Sequence, residues 1–492
     1  MDEGEMKLAK IADKLLYPAA LLASLSIWLV AVRAPLWLDE TLSYWQVSGG
    51  FSKIWSRSVQ MPSSFAYLYI LWFVKSVFGS QEIALRIPSL LAMLAASYFL
   101  FRAAQEIFDT EIAFISCILF CLNANVVFAA IDVRPYAFAL LMTNLAIFAL
   151  LRWTARSDMR YAILCGAGAA GILYFHYLFG AILPAFAIYY LALRGRSIRA
   201  SAGQLAALLS SFALVCAPLI WPFVELFRTR QVHVFENERR ELSVLRTTLF
   251  PFKLLIILAG TVLVAALLRK VKWPGRDSSL AALLCPLFAI VPMAILYGIS
   301  AATPTHVFIP RYCLVAVPGG ALMWGLLISR IDSRWLRRIC CVSLVAITVF
   351  EYFSLPSARQ HRASFKQAYE FVNADVAKDK APVLICSAFT ESRFEPMPAD
   401  RTSESALVSQ LSYYPVDSPV VLLPVALNDE AIRIGSQAVS AAAQRRQRFL
   451  AVGNSGSPVL EWLAGYSRGA FTAQRIADFE GTVVVEFQPV VQ

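Results

Sequence analysis

Two adjacent carboxylates, Asp39 and Glu40, stand in the stretch Ala-Pro-Leu-Trp-Leu-Asp-Glu-Thr-Leu-Ser-Tyr-Trp (residues 34–45), directly after an apolar run over residues 15–32. A carboxylate fixed at a membrane surface is suited to two tasks, taking a proton as general base or holding a cation, and both need lowered dielectric and fixed geometry. Trp37, Tyr44 and Trp45 beside them carry the amphipathic rings favoured at headgroup level. Further along, Arg86 precedes Ile-Pro-Ser, Asp132 and Arg134 sit in Ala-Ile-Asp-Val-Arg-Pro-Tyr, His176 in Tyr-Phe-His-Tyr, and Arg311 follows Pro310. A guanidinium offers a planar fork of donors to phosphate oxygens. Asp39, Glu40 and Asp132 together would make an oxygen-rich set suited to a hard divalent metal ion. Each residue also has a plainer reading. The Asp-Glu pair can be a polar turn at a helix end, Arg86 and Arg311 can anchor helix ends by snorkelling, Asp132 and Arg134 can pair with each other, and His176 can be a structural histidine of a turn. Acids gathered beside arginines are harder to explain as anchors, because anchoring does not call for the acids.

The elements that must position these groups are apolar. The chain has 492 residues, 58% of them hydrophobic and only 16% charged, with mean hydropathy +0.61, where a soluble domain carries about 25% charge. This predicts an α-helical polytopic membrane protein. Apolar segments fall at residues 15–32, 62–78, 87–101, 112–131, 136–151, 161–176, 177–193, 203–221, 253–268, 280–300, 311–329 and 335–353. Three connections are strongly basic: Arg194, Arg196 and Arg199; Arg269, Lys270, Lys272 and Arg276; Arg330, Arg334, Arg337 and Arg338. The bias of cytoplasmic loops toward Lys and Arg places all three inside. Alternation then sends the Asp132/Arg134 turn, His176, the loop 222–252, the loop 301–310 and the tail to the other face. With a cytoplasmic N-terminus the count closes only if one segment does not span. Residues 62–78 open Pro-Ser-Ser, contain Lys75 and are dense in rings, which fits a helix lying in the interface plane. About eleven helices then span, and Asp39, Arg86, Asp132, Arg134, His176 and Arg311 converge on the outer face.

From residue 355 the apolar runs shorten, and helical periodicity (363–377, 428–444) alternates with short strand-like runs (383–386, 420–423, 449–452, 483–487). The expected organisation is a transmembrane domain over 1–354, including a first outer loop at 33–86, and a small soluble extracytoplasmic α/β domain over 355–492. The tail shows no glycine-rich phosphate loop. Although the formal charge is +11, the basic residues flank apolar segments and no recognition motif accompanies them, so nucleic acid is excluded as a partner. Of nine cysteines, all but Cys386 lie in or beside apolar segments without Cys-x-x-Cys pairs, which indicates neither a disulfide framework nor a zinc site. The first apolar run lacks a small-residue cleavage site and reads as a retained span. The loop 222–252, with Arg228, Arg230, His233, Glu236, Glu238, Arg239 and Arg240, is either a lid or acceptor platform or a solvated charged loop.

The order of these motifs resembles a known family. The Asp-Glu pair after the first span, the aromatic helix ending Phe-Gly, Arg-Ile-Pro-Ser opening the next span, the acid-x-Arg-Pro-Tyr and His-Tyr turns, and Pro-Arg-Tyr before a late span are similar to GT-C class membrane glycosyltransferases. The similarity is to the branch of protein O-mannosyltransferases, lipid A aminoarabinose transferases and Rhizobium lipopolysaccharide galacturonosyltransferases, and it covers roughly residues 15–330. It implies a GT-C fold in the cytoplasmic (inner) membrane, a polyprenyl-phosphate sugar as donor, and transfer on the outer face to a lipid A, lipopolysaccharide, polysaccharide or protein acceptor. By that resemblance Asp39 is the base or acceptor-orienting carboxylate, with Glu40 tuning it. Arg86, Asp132, Arg134, Tyr136, His176, Arg311 and Tyr312 bind substrate. One base without a carboxylate nucleophile points to inversion. The sequence departs from the pattern at Asp132, where many relatives carry Glu, and at Met-Pro-Ser-Ser (residues 61–64), where they have His-Pro-Pro. The second change removes a histidine that would touch phosphate or acceptor. Two other classes compete: a lipid-linked sugar transporter or flippase, expected to show inverted repeats and mid-membrane polar residues, and a non-catalytic scaffold.

Overall fold

The computed structural model describes residues 3–60, 64–194, 200–229, 243–249, 252–271, 280–303, 306–354, 365–398, 404–479 and 481–490. The chain forms two compact units. One comprises Met1–Val32, Ser64–Arg228 and Val234–Arg359; the other comprises Arg33–Ser63, Thr229–His233 and Gln360–Gln492. Residues 33–63 therefore group with the tail and not with the helices that flank them in sequence.

The first unit is helical. Among the described residues five helices are long and apolar enough to cross a membrane: Glu82–Gln105, Tyr136–Arg156, Ala202–Glu225, Ala282–Ala302 and Pro310–Ile328. A sixth candidate is broken: Thr110–Leu122 and Ala124–Ile131 meet at a bend of 68°, where a single run over 112–131 was expected. The cause is Asn123, whose backbone is extended and whose side chain accepts the Asn125 N–H at 3.0 Å, capping a new helix. Its amide also donates to the Thr248 carbonyl at 2.9 Å. Phe65–Phe78 has 14 residues, about 21 Å of helix against roughly 30 Å of hydrocarbon. Its fully buried Tyr67 lies edge-on to Phe138 at 5.8 Å, and the Ser64 hydroxyl donates to the Tyr174 carbonyl at 2.7 Å.

Close approach fixes the late span. A Cβ on Gly319 would stand 2.3 Å from the backbone of Phe288 and Ala289 on the helix Leu287–Ala302, so only glycine permits that contact. Ahead of it, the buried Ser300 hydroxyl accepts the N–H groups of Val307 and Phe308 at 2.9 and 2.8 Å. This shapes the loop that delivers Arg311. At the other ends of the helices, Arg337 makes two hydrogen bonds of 3.0 Å to Glu111, which also accepts the Tyr17 hydroxyl at 2.7 Å. Three helices far apart in sequence are stitched there by one charge-assisted pair.

The second unit carries a five-stranded sheet in the order β2-β1-β3-β5-β4, with β1 Val383–Cys386, β2 Val420–Leu423, β3 Phe449–Asn454, β4 Phe471–Phe479 and β5 Thr482–Pro489. β1 pairs in parallel with β2 and β3, and β5 pairs antiparallel with β3 and β4. Helices Phe365–Asp375 and Asp429–Gln444 fall where periodicity placed them. Phe449 and Phe487 stack across the β3–β5 pair at 4.4 Å. Arg448 ties β5 to the end of the helix Phe365–Asp375 and the turn after it by bonds to Glu486, Asp375 and Asp379 at 2.6–2.8 Å.

Candidate functional site

Five of the expected residues meet in the helical unit. The turn 132–136 follows the short helix created by the Asn123 break. Asp132 ends that helix in extended backbone (ψ 131°) and is fully buried. Pro135, with its fixed φ, caps the next helix, which Tyr136 begins. The buried Ser89 hydroxyl donates to the Asp132 carbonyl at 2.6 Å. Ser89 lies one turn after Arg86 on the helix Glu82–Gln105, so it locks the turn to the face that carries Arg86. Arg86 itself is 0% exposed and donates to the Val32 carbonyl at 2.9 Å.

His176 joins this turn to the late span. It ends the helix Met159–Phe175 with extended φ −158°, between two apolar helices. Its ring is enclosed by those of Tyr136 at 5.4 Å, Phe179 at 4.8 Å and Tyr312 at 5.2 Å. Burial, followed by the cations of Arg134 and Arg311, holds its pKa down to about 3. Arg311 lies over the Tyr312 ring at 5.2 Å, and Arg134 stands two residues before Tyr136 in the same turn. Arg134, Tyr136, His176, Arg311 and Tyr312 thus form one cluster, and Asp132 is attached through its turn. A cationic, ring-lined cluster with a neutral imidazole suits an anion carried on an apolar body.

Asp39 and Glu40 belong to the second unit and occupy the first turn of the helix Leu38–Ser48, where the helix dipole favours negative charge. Fully buried Glu40 accepts the Trp37 N–H at 3.1 Å, so its carboxylate caps its own helix; Asp39 is half-buried. The Leu36 N–H donates to the Tyr414 hydroxyl at 2.7 Å, and Tyr44 meets Tyr413 edge-on at 4.7 Å. Arg57, over the Trp45 ring at 4.4 Å, pairs with Glu404 at 2.7 Å. The flanking cations of Lys53 and Arg57 pull the Glu404 carboxyl down to about 2.

Ser89, Glu404 and Tyr414 were not singled out in the sequence. Nothing local marks the last two, whose partners lie 347 and 378 residues away. Among the described residues no three His, Cys, Asp or Glu side chains group to hold a metal ion. Of the three carboxylates considered for a metal ion, Glu40 is engaged in capping its own helix. Arg230, His233, Glu236, Glu238, Arg239 and Arg240 of the charged loop lie outside the described residues, as do Met61, Pro62 and Ser63, Arg196 and Arg199, and Lys272 and Arg276.

The resemblance to GT-C membrane glycosyltransferases read in the sequence is supported by a family match over part of the chain and by similarity of fold. Residues 62–221 match the family model described as dolichyl-phosphate-mannose-protein mannosyltransferase. The fold is similar to ArnT from Cupriavidus metallidurans, solved bound to undecaprenyl phosphate, with TM-score 0.55 and 13% identity over 96% of this chain and 97% of that one. It is also similar to the arabinofuranosyltransferase AftD from Mycobacteria, with TM-score 0.52 and 13% identity over 96% of this chain and 40% of that longer one. No curated protein matches the sequence.

Proposed function

We propose that the chain is a glycosyltransferase that moves a sugar from a polyprenyl-phosphate carrier to an envelope acceptor (lipid A or lipopolysaccharide, polysaccharide or protein). The observation that carries this reading is the cluster of Arg134, His176 and Arg311 between Tyr136 and Tyr312. The lipid phosphate gains negative charge as the glycosidic bond breaks, and preorganised cations favour that state over the ground state. The undecaprenyl phosphate in the ArnT structure fits the same chemistry. Ser89, through the Asp132 carbonyl, supports the turn that presents Arg134. Asp39 is our assignment for the base that takes the acceptor hydroxyl proton, with inversion at the anomeric carbon; retained configuration in the product would exclude it. Full activity after EDTA treatment would exclude a divalent metal.

In this reading the chain is a multi-pass protein of the cytoplasmic membrane with about eleven spans. Phe65–Phe78 lies along the interface, and the turn residues and the tail face outward. The test is mass analysis of envelope lipids, glycans and glycoproteins from cells with and without the chain. One species is expected to lose a sugar, regain it with the wild-type chain, and fail to regain it with Asp39→Asn at equal abundance. Restoration by Asp39→Asn would favour a scaffold, and accumulation of the sugar carrier on one leaflet would favour a flippase.

A further inference from the structure

His176 is one of four histidines in the chain. Its Nδ1 is closed off from solvent and has no hydrogen-bond partner among the described residues, and a buried polar atom left so calls for an explanation. The groups around it come from four elements. Tyr136 stands on the helix Tyr136–Arg156, Phe179 on the turn Tyr177–Ile182, Arg311 and Tyr312 on Pro310–Cys313, and Arg134 on the turn before Pro135. The charged groups that act on it are the two guanidiniums, both cations. A phosphate monoester entering beside Arg134 and Arg311 would reverse the local charge. The same site that disfavours imidazolium when empty would favour it when filled.

We propose that His176 takes up a proton as a lipid phosphate binds beside Arg134 and Arg311, and donates that proton to the phosphate oxygen that leaves the sugar. This rests on the reading above that the cluster receives a lipid phosphate. In the transfer the bond from anomeric carbon to phosphate oxygen breaks and its electron pair stays on that oxygen, which accepts the His176 proton. The acceptor oxygen bonds to the anomeric carbon, and its proton passes to the base, assigned to Asp39. The monoester departs carrying the proton, and both side chains return to their starting states by exchange with water.

The experiment is calorimetric titration of the full chain in detergent with undecaprenyl phosphate, at about pH 6.5 where free imidazole titrates, in buffers of different ionisation enthalpy. Wild type is expected to take up about one proton more than His176→Gln, in which the guanidiniums alone favour the phosphate dianion and release protons. Equal proton counts overturn the proposal. Imidazole nitrogen-15 spectra of the wild type give a second measurement that needs no variant. One neutral ring is expected to become imidazolium on addition of undecaprenyl phosphate, and spectra without that change overturn the proposal. Absence of any binding to wild type overturns the lipid-phosphate reading itself, and the proton role with it.

Discussion

The two groups of candidate residues are held by different mixtures of force. The arginine–histidine cluster is built where apolar helices end, from rings packed at 4.8–5.4 Å and turns locked by buried hydroxyls. The acid helix Leu38–Ser48 buries Leu42, Trp45 and Val47 and sets Tyr44 against Tyr413, and is further pinned within its own unit by polar contacts, the Tyr414 hydroxyl on Leu36 and the Arg57–Glu404 pair, with Glu404 56% exposed. Packing of the first kind is indifferent to salt and to moderate acid. Exposed pairs of the second kind weaken as salt screens them, over about 8 Å at physiological ionic strength. The cluster is thus fixed by packing, and the acid helix adds an exposed ion pair whose strength depends on salt and pH.

The largest effect expected is at Asp39. Asp39→Asn should lower transfer by roughly a hundred- to ten-thousand-fold, the range of general-base assistance, while leaving undecaprenyl phosphate binding within twofold by calorimetry (about 0.4 kcal/mol). Equal loss of both would merge the two regions into one role. Next, Arg134→Gln and Arg311→Gln should each weaken undecaprenyl phosphate binding roughly 10- to 100-fold, the value of a charge-assisted hydrogen bond. Retained affinity in both would break the cluster as a phosphate receptacle.

Ser89→Ala leaves the buried Asp132 carbonyl without its 2.6 Å donor and should cost about 1–3 kcal/mol, read as a lower unfolding temperature together with weaker phosphate binding. Tyr414→Phe removes one neutral hydrogen bond, worth about 1 kcal/mol. It should loosen residues 33–48 to hydrogen exchange without changing exchange in Tyr136–Arg156.

The smallest effect concerns pH. The Glu404 carboxyl is held down to about 2 in the folded chain, below its unfolded value near 4.3. Its pairing therefore contributes fully above the unfolded value and is lost as pH falls through about 2. Protection of residues 33–60 should decline across that window in wild type and be flat in Glu404→Gln, whereas the ring cluster should show no matching change. A parallel decline in both proteins would remove Glu404 as the source.

Much of this was legible in the sequence, for identifiable reasons. Apolar runs located the helices, and the tail strands β1, β2, β3 and β5 announced themselves as short β-branched runs between turn residues. β4, Phe-Thr-Ala-Gln-Arg-Ile-Ala-Asp-Phe, escaped because an edge strand with one buried residue has no inward face to alternate. The bend at Asn123 escaped although Leu-Asn-Ala-Asn interrupts an apolar run; the capping preference of asparagine was the available signal. In the cluster, Arg134, His176 and Arg311 were named because polar residues at the ends of apolar runs are conspicuous, and Tyr136 and Tyr312 because the family resemblance carries them. The pins on the acid helix were not, because no local pattern connects residue 36 with 414 or 57 with 404.

That separation bears on how the molecule is made. A ribosome adding roughly 5–20 residues per second leaves Arg57 waiting on the order of tens of seconds for Glu404, 347 positions later. Newly emerged membrane helices can already be assembled while the acid-bearing loop still lacks its anchor, so a nascent chain stays without a fixed carboxylate until synthesis is nearly complete. A truncated product ending before Glu404 would lack the Arg57–Glu404 and Leu36–Tyr414 bonds that pin residues 33–60.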